Sequence, residues 1–164
     1  MATPSLVVDV GPFERNIAQM GPLAENAGVR HRARAKAHIS ADIALYQIQH
    51  GKACGICCQK VSEAEARVDG GVTDVVVSNQ VVDPRKIDRL AQLANRARVI
   101  VCVDDAYNIE ALSQAATRHN ATLEVLVGID GGAGRCGVRS PSGALVLAPE
   151  IASGAGLLLP GPRA

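Results

Sequence analysis

The chain has 164 residues, a formal net charge of +1, 48% hydrophobic residues and 2% aromatic ones. That length suits one domain with its own core and falls well short of the roughly 250 residues of a complete eight-fold β/α barrel. The near-neutral charge gives no electrostatic case for a nucleic-acid or membrane partner, and with only Phe13, Tyr46 and Tyr107 as aromatics there is little for bases to stack on.

The N-terminus, MATPSLVVDV, lacks the basic region and apolar core of a signal peptide, and no apolar run approaches a membrane span. The cysteine count is odd, with Cys54, Cys57, Cys58, Cys102 and Cys136, which does not suit a secreted disulfide framework. A cytoplasmic protein with reduced thiols is the expectation.

In chain order, the apolar pattern predicts strands at 6–10, 29–35, 53–58, 74–78, 98–103 and 123–129. Several are apolar on both faces, such as Val75-Val76-Val77 and Val99-Ile100-Val101, as in a parallel sheet covered on both sides. Ala-rich amphipathic helices lie between them. Gly21-Pro22 is expected to break or kink the first helix. Ser62 with Glu65 reads as a capping box, Asp83-Pro84 as an N-cap with proline at the first helical position, and Asp105 as a further N-cap. Ser140-Pro141 opens a last helix that Pro149 is expected to interrupt. Repeated β-α units with short links make an α/β fold, either an open doubly wound sheet or a barrel.

Four sequence features bear on chemistry. Gly132 to Gly137 satisfies G-x-G-x-x-G after a strand, but it follows the fifth unit, does not run straight into a helix and has no later strand with a terminal acid. A loop that aims Arg135 at a ligand fits it better than a nicotinamide site. Cys54, Cys57 and Cys58 include a C-x-x-C, yet a structural zinc would need a second matching pair, so buried thiols are expected. Arg32, Arg34, Lys36 and His38 alternate, which would put four cations on one face of an extended segment. In a barrel such a row faces a ligand-containing centre, with Lys36 at the end where active sites are built. Gln59-Lys60, Ser78-Asn79-Gln80, Asp104-Asp105 and Asp130 then gather polar groups past successive strand ends. Cap chemistry accounts for the two adjacent aspartates, whereas Gln59 is left as a candidate ligand.

Thr3-Pro4-Ser5-Leu6-Val7-Val8-Asp9, Lys36-Ala37-His38, the run from Gly55 to Ala66 and Gly132-Ala133-Gly134-Arg135-Cys136-Gly137-Val138 occur in this order. Together they resemble the D-threonine aldolase / D-serine dehydratase family, whose N-terminal barrel is alanine-racemase-like. The resemblance runs from Thr3 to about Val138. It implies a partial (β/α)8 barrel of about five βα units using pyridoxal 5′-phosphate. Lys36 matches the lysine that binds this cofactor covalently, Gln59 a glutamine that contacts it, and Arg135 an arginine near its phenolic oxygen. The implied reaction is retro-aldol cleavage of 3-hydroxy-D-aspartate to glycine and glyoxylate, with a small D-3-hydroxy amino acid as the only partner besides a second copy in a homodimer. Relatives that act as D-threonine aldolases or as D-serine or 3-hydroxyaspartate dehydratases are alternatives, as is a degenerate cofactor-binding protein. The family also implies a divalent metal, Mg²⁺ or Mn²⁺, whose ligands are expected beyond Ala164.

The chain departs from the family pattern at Arg34, Ile39 and Gln80, where His, Lys and Glu are usual. Residues 1–164 are therefore expected to form one incomplete domain, with 157–164 a tail foreign to the family. Little aldolase activity and a weak or absent stable covalent cofactor adduct at Lys36 are expected of these residues alone.

Overall fold

A computed structural model describes residues 3–5 and 7–160, and in it helix and strand alternate throughout. Helix α1 (Val10–Asn26) is followed by β1 (Ala33–Arg34), α2 (Ala41–Gly51), β2 (Ile56–Cys58), α3 (Val61–Asp69) and β3 (Asp74–Val77). Then come α4 (Pro84–Leu93), β4 (Arg98–Val103), α5 (Ala106–Arg118), β5 (Leu123–Val127), α6 (Pro141–Ser153) and β6 (Leu157–Leu158). Each strand pairs in parallel with the next, in the order β1-β2-β3-β4-β5-β6. A doubly wound sheet reverses its strand order at a switch point, and this one never does. It is a partial (β/α)8 barrel, with five βα units ahead of β6.

The two faces of the sheet differ in chemistry. Ile56, Val75, Val77, Val99, Val101, Val103, Leu123 and Val125 are buried in the core with Leu90, Leu112 and Ile151 of the helices. β-Branched residues suit such a tightly packed pleated surface. On α4 the buried residues Ile87, Leu90 and Ala91 recur at helical spacing, and Asp83 holds its first turn by accepting from the backbone N–H groups of Arg85 and Lys86 at 3.0 and 3.2 Å. On the opposite face, Arg34, Cys57, Val76, Ile100 and Glu124 form one row in register across β1 to β5.

Several expectations need correction. Residues 7–9 form no strand, Leu6 lies outside the described residues, and Asp9 instead caps α1 by accepting from Gly11 N at 3.1 Å. Gly21-Pro22 does not break α1. Pro22 forfeits only the one ladder bond to Ala18 O, and Gly21 sits where α1 crosses α2, so close that a Cβ there would be 3.1 Å from Gly51 O. Pro149 likewise lies inside α6, and the residue whose carbonyl it leaves unbonded, Leu145, is solvent-exposed. The Ser62–Glu65 capping box does not form: α3 starts two residues earlier, with Lys60 at the N-cap, Glu63 accepts from Gln59 N at 2.8 Å, and Glu65 pairs with Arg89. Leu157 and Leu158 pair with Leu123 and Glu124 as the sixth strand.

Candidate functional site

The C-terminal ends of the strands surround a cleft of about 280 Å³ lined by Arg34, Lys36, Cys57, Gln59, Ser78, Asn79 and residues of the loop after β5, among them Arg135 and Cys136. Three sequence candidates, Lys36, Gln59 and Arg135, therefore meet at one place, although they come from three separate parts of the chain. Lys36 Nζ donates to Gln59 Oε1 at 3.3 Å. Gln59 is itself held by its backbone N–H on Glu63.

The four alternating cations do not share one face. Strand β1 ends at Arg34, and residues 35–38 turn, with Ala37 N bonded to Arg34 O at 3.2 Å and Ile39 N to Ala35 O at 3.0 Å. Ile39 closes this turn in the left-handed region, at φ 54°. The turn delivers Lys36 to the cleft and takes His38 elsewhere. His38 Nδ1 accepts from Ser40 N at 3.2 Å, and its ring lies among Gln47 of α2 and Arg67 of α3. Burial, reinforced by the Arg67 charge and opposed by Gln47, holds its pKa below the ordinary value.

Arg32 is diverted as well. It grips both oxygens of Asp74 at 2.5 and 3.2 Å, while Arg98 binds Asp74 at 2.9 Å and both oxygens of Glu124 at 2.6 Å. Gly55 makes the Arg32 contact feasible, because a Cβ there would collide with the guanidinium and lie 2.7 Å from Asp74 O. This lower layer of the concave face is two cations against two anions.

The glycine loop is pinned rather than loose. Asp130 Oδ1 accepts from Gly132 N and Gly134 N, each at 3.1 Å, and Asp104 Oδ2 accepts from Gly137 N at 2.7 Å. Gly137 has φ 120°, and a Cβ on it would lie 2.5 Å from Asp130 N. Helix α6 starts only at Pro141, so these glycines do not open a helix as a dinucleotide fingerprint would. Asp105 caps α5 as expected, by accepting from Tyr107 N at 2.9 Å. Asp104, expected to serve as a cap too, instead binds the loop. The signal was present: one helix needs one N-cap, which left the second aspartate unexplained.

Among the thiols, Cys57 and Cys136 line the cleft, and burial pushes Cys58 up to about 12. No group of three or more His, Cys, Asp or Glu among the described residues could hold a metal ion. No described helix is long and apolar enough to cross a membrane.

The family model described as alanine racemase, N-terminal domain, matches residues 8–161. The chain belongs to this family. Its domain pattern thus extends through Leu157 and Leu158. A 3-hydroxy-D-aspartate aldolase of Paracoccus denitrificans is 47% identical over 163 residues, 99% of this chain and 42% of that protein. A D-threonine aldolase of an Arthrobacter species is 48% identical over 148 residues, 90% of this chain and 39% of that protein. The crystal structure of D-threonine aldolase from Filomicrobium marinum superimposes with a TM-score of 0.93 at 46% identity, covering 97% of this chain and 43% of that one. The chain thus spans less than half the length of these members of known activity.

Proposed function

We propose that the protein is a pyridoxal 5′-phosphate-dependent lyase that cleaves 3-hydroxy-D-aspartate to glycine and glyoxylate, and that Lys36, Gln59 and Arg135 are its cofactor-binding residues in this chain. The observation that carries this reading is the meeting of an amine, an amide and guanidinium groups in one cleft at the C-terminal ends of the strands, the end at which barrel active sites are built. The donor set suits an anionic aromatic phosphate: Lys36 and Arg135 are both cationic, and the Arg135 guanidinium has no described hydrogen-bond or ion-pair partner.

When bound, the cofactor supplies a conjugated electron sink for the electron pair released as the substrate Cα–Cβ bond breaks. The chain's own residues prepare for it. Gln59 Oε1 orients the Lys36 amine, and Glu63 keeps the Gln59 backbone in place. Asp104 and Asp130 hold the loop that brings Arg135 over the cleft, where its charge favours an anionic oxygen. The described residues do not fit a divalent metal.

Selective modification tests the assignment. The full chain is incubated with pyridoxal 5′-phosphate, reduced with borohydride, digested and mapped by mass. Reduction traps even a sparsely populated adduct. The four lysines are Lys36, Lys52, Lys60 and Lys86, and label concentrated on Lys36 is the expected outcome. Label spread evenly over all four would reject the reading. Glyoxylate release from 3-hydroxy-D-aspartate that disappears in Lys36→Ala is expected of the whole protein.

A further inference from the structure

The concave face separates its charges by depth. In the lower layer every ionic group is matched, Arg32 and Arg98 against Asp74 and Glu124. In the upper layer Arg34, Lys36 and Arg135 line the cleft, and the nearby acids are already engaged: Asp130 by two loop N–H groups, Asp104 by Gly137 N. Arg34 is the last residue of β1, it is exposed, and no described group bonds to its side chain. Its neighbour two residues back, Arg32, has the same side chain and the opposite situation. Asp74 reaches Arg32 because Gly55 leaves the way open, whereas Cys57, the β2 partner of Arg34 in register, offers no charge.

A planar guanidinium with all its donors free suits a carboxylate, which can take two parallel N–H···O bonds. In the reading proposed above, Lys36 and Arg135 attend to the cofactor, and Arg34 is the cation left over. We infer that Arg34 is a specificity-determining residue that pairs with the second carboxylate of a dicarboxylic substrate, so that the cleft prefers 3-hydroxyaspartate-like acids over neutral 3-hydroxy amino acids. This inference rests on the proposed function for the identity of the other ligand in the cleft. A neutral side chain such as a methyl group leaves Arg34 in water rather than buried and unpaired. The discrimination is therefore modest, roughly tenfold, the factor that corresponds to about 1.4 kcal/mol.

Binding by the full chain tests it without turnover. D-Aspartate and D-alanine differ by one carboxylate, and their affinities are compared by calorimetry for the unaltered protein, Arg34→Gln and Arg34→Lys. The affinity for pyridoxal 5′-phosphate is followed in parallel by absorbance. Roughly tenfold tighter binding of D-aspartate is expected in the unaltered protein, near-equal binding of the two in Arg34→Gln, and partial recovery in Arg34→Lys. Cofactor affinity should be unchanged in Arg34→Gln. A preference that survives Arg34→Gln, or no preference at the outset, would overturn the inference. So would a loss of cofactor affinity as large as the loss of D-aspartate affinity, since Arg34 would then be a cofactor ligand. Failure of the parent reading looks different: Lys36 would not be selectively labelled, while the dicarboxylate preference and its dependence on Arg34 would persist.

Discussion

Asp104 Oδ2 accepts a hydrogen bond from the backbone N–H of Gly137 at 2.7 Å, across 33 residues of chain. The bond joins the end of β4 to the loop after β5 and fixes the approach of Arg135 to the cleft. A charged acceptor makes it stronger than an ordinary backbone bond, about 1.5–3 kcal/mol. Asp104→Ala should therefore raise amide exchange at Gly137 by roughly tenfold or more, with little change at the strand amides. Asp104→Asn keeps an acceptor oxygen and should restore most of the protection. Unchanged exchange in Asp104→Ala would show that the loop holds itself.

Gly55 should resist substitution more than Gly71, although both have positive φ. Its φ is 153°, and a Cβ would press on the Arg32 guanidinium and on the Asp74 backbone together. Gly71, at φ 97°, has only an ordinary contact with Leu45 at 3.9 Å. Backbone strain of roughly 1–3 kcal/mol applies to both positions, and the clash adds to it only at Gly55. Urea denaturation should give a larger loss for Gly55→Ala than for Gly71→Ala. Equal losses would mean that the Arg32–Asp74 pair adjusts freely.

His38 should make the fold acid-sensitive. Burial first, then the Arg67 charge, lowers its pKa in the folded state below 6.5, its ordinary value, while the Gln47 contact opposes the shift. The unfolded chain then binds the proton more readily than the folded one. Stability from this source is fully present above pH 6.5 and is lost as pH falls below it toward the lowered value. His38→Asn keeps an acceptor for Ser40 N and removes the titration. Urea midpoints at pH 7.5 and 5.5 should converge in the variant relative to the unaltered protein. An equal acid-induced loss in both would assign the effect to other groups.

The thiols should react in order of exposure and ionisation. Cys136 is exposed, whereas Cys58 is buried with its pKa pushed up to about 12, and burial raises Cys102 as well. Iodoacetamide at pH 8 with mass mapping should label Cys136 first and Cys58 only in urea. Early labelling of Cys58 in the native protein would show that β2 opens readily.

Much of this protein is written in short-range patterns, and those could be read from the sequence. Near-continuous apolar runs at 74–78 and 98–103 became strands β3 and β4, since residues buried on both faces need no alternation. Asp83-Pro84, Asp105 and Ser140 became caps because a cap is a contact between near neighbours. Lys36, Gln59 and Arg135 stand out as candidates through family motifs, and barrel geometry brings them to one cleft because it gathers strand ends whatever the intervening helices are. What tertiary structure alone decided depended on partners far apart in sequence. Alternation put Arg32, Arg34, Lys36 and His38 on one face. A two-residue strand, the turn after it, Asp74 and the Gln47–Arg67 pocket sent them to three different environments. Gly21-Pro22 and Pro149 had the local chemistry of helix breakers, yet both helices continue, α1 at a close crossing with α2 and α6 where Leu145 is exposed. Local propensity is worth about 1 kcal/mol for Gly and about 3 kcal/mol for Pro, so packing and ion pairs from distant residues can outweigh it.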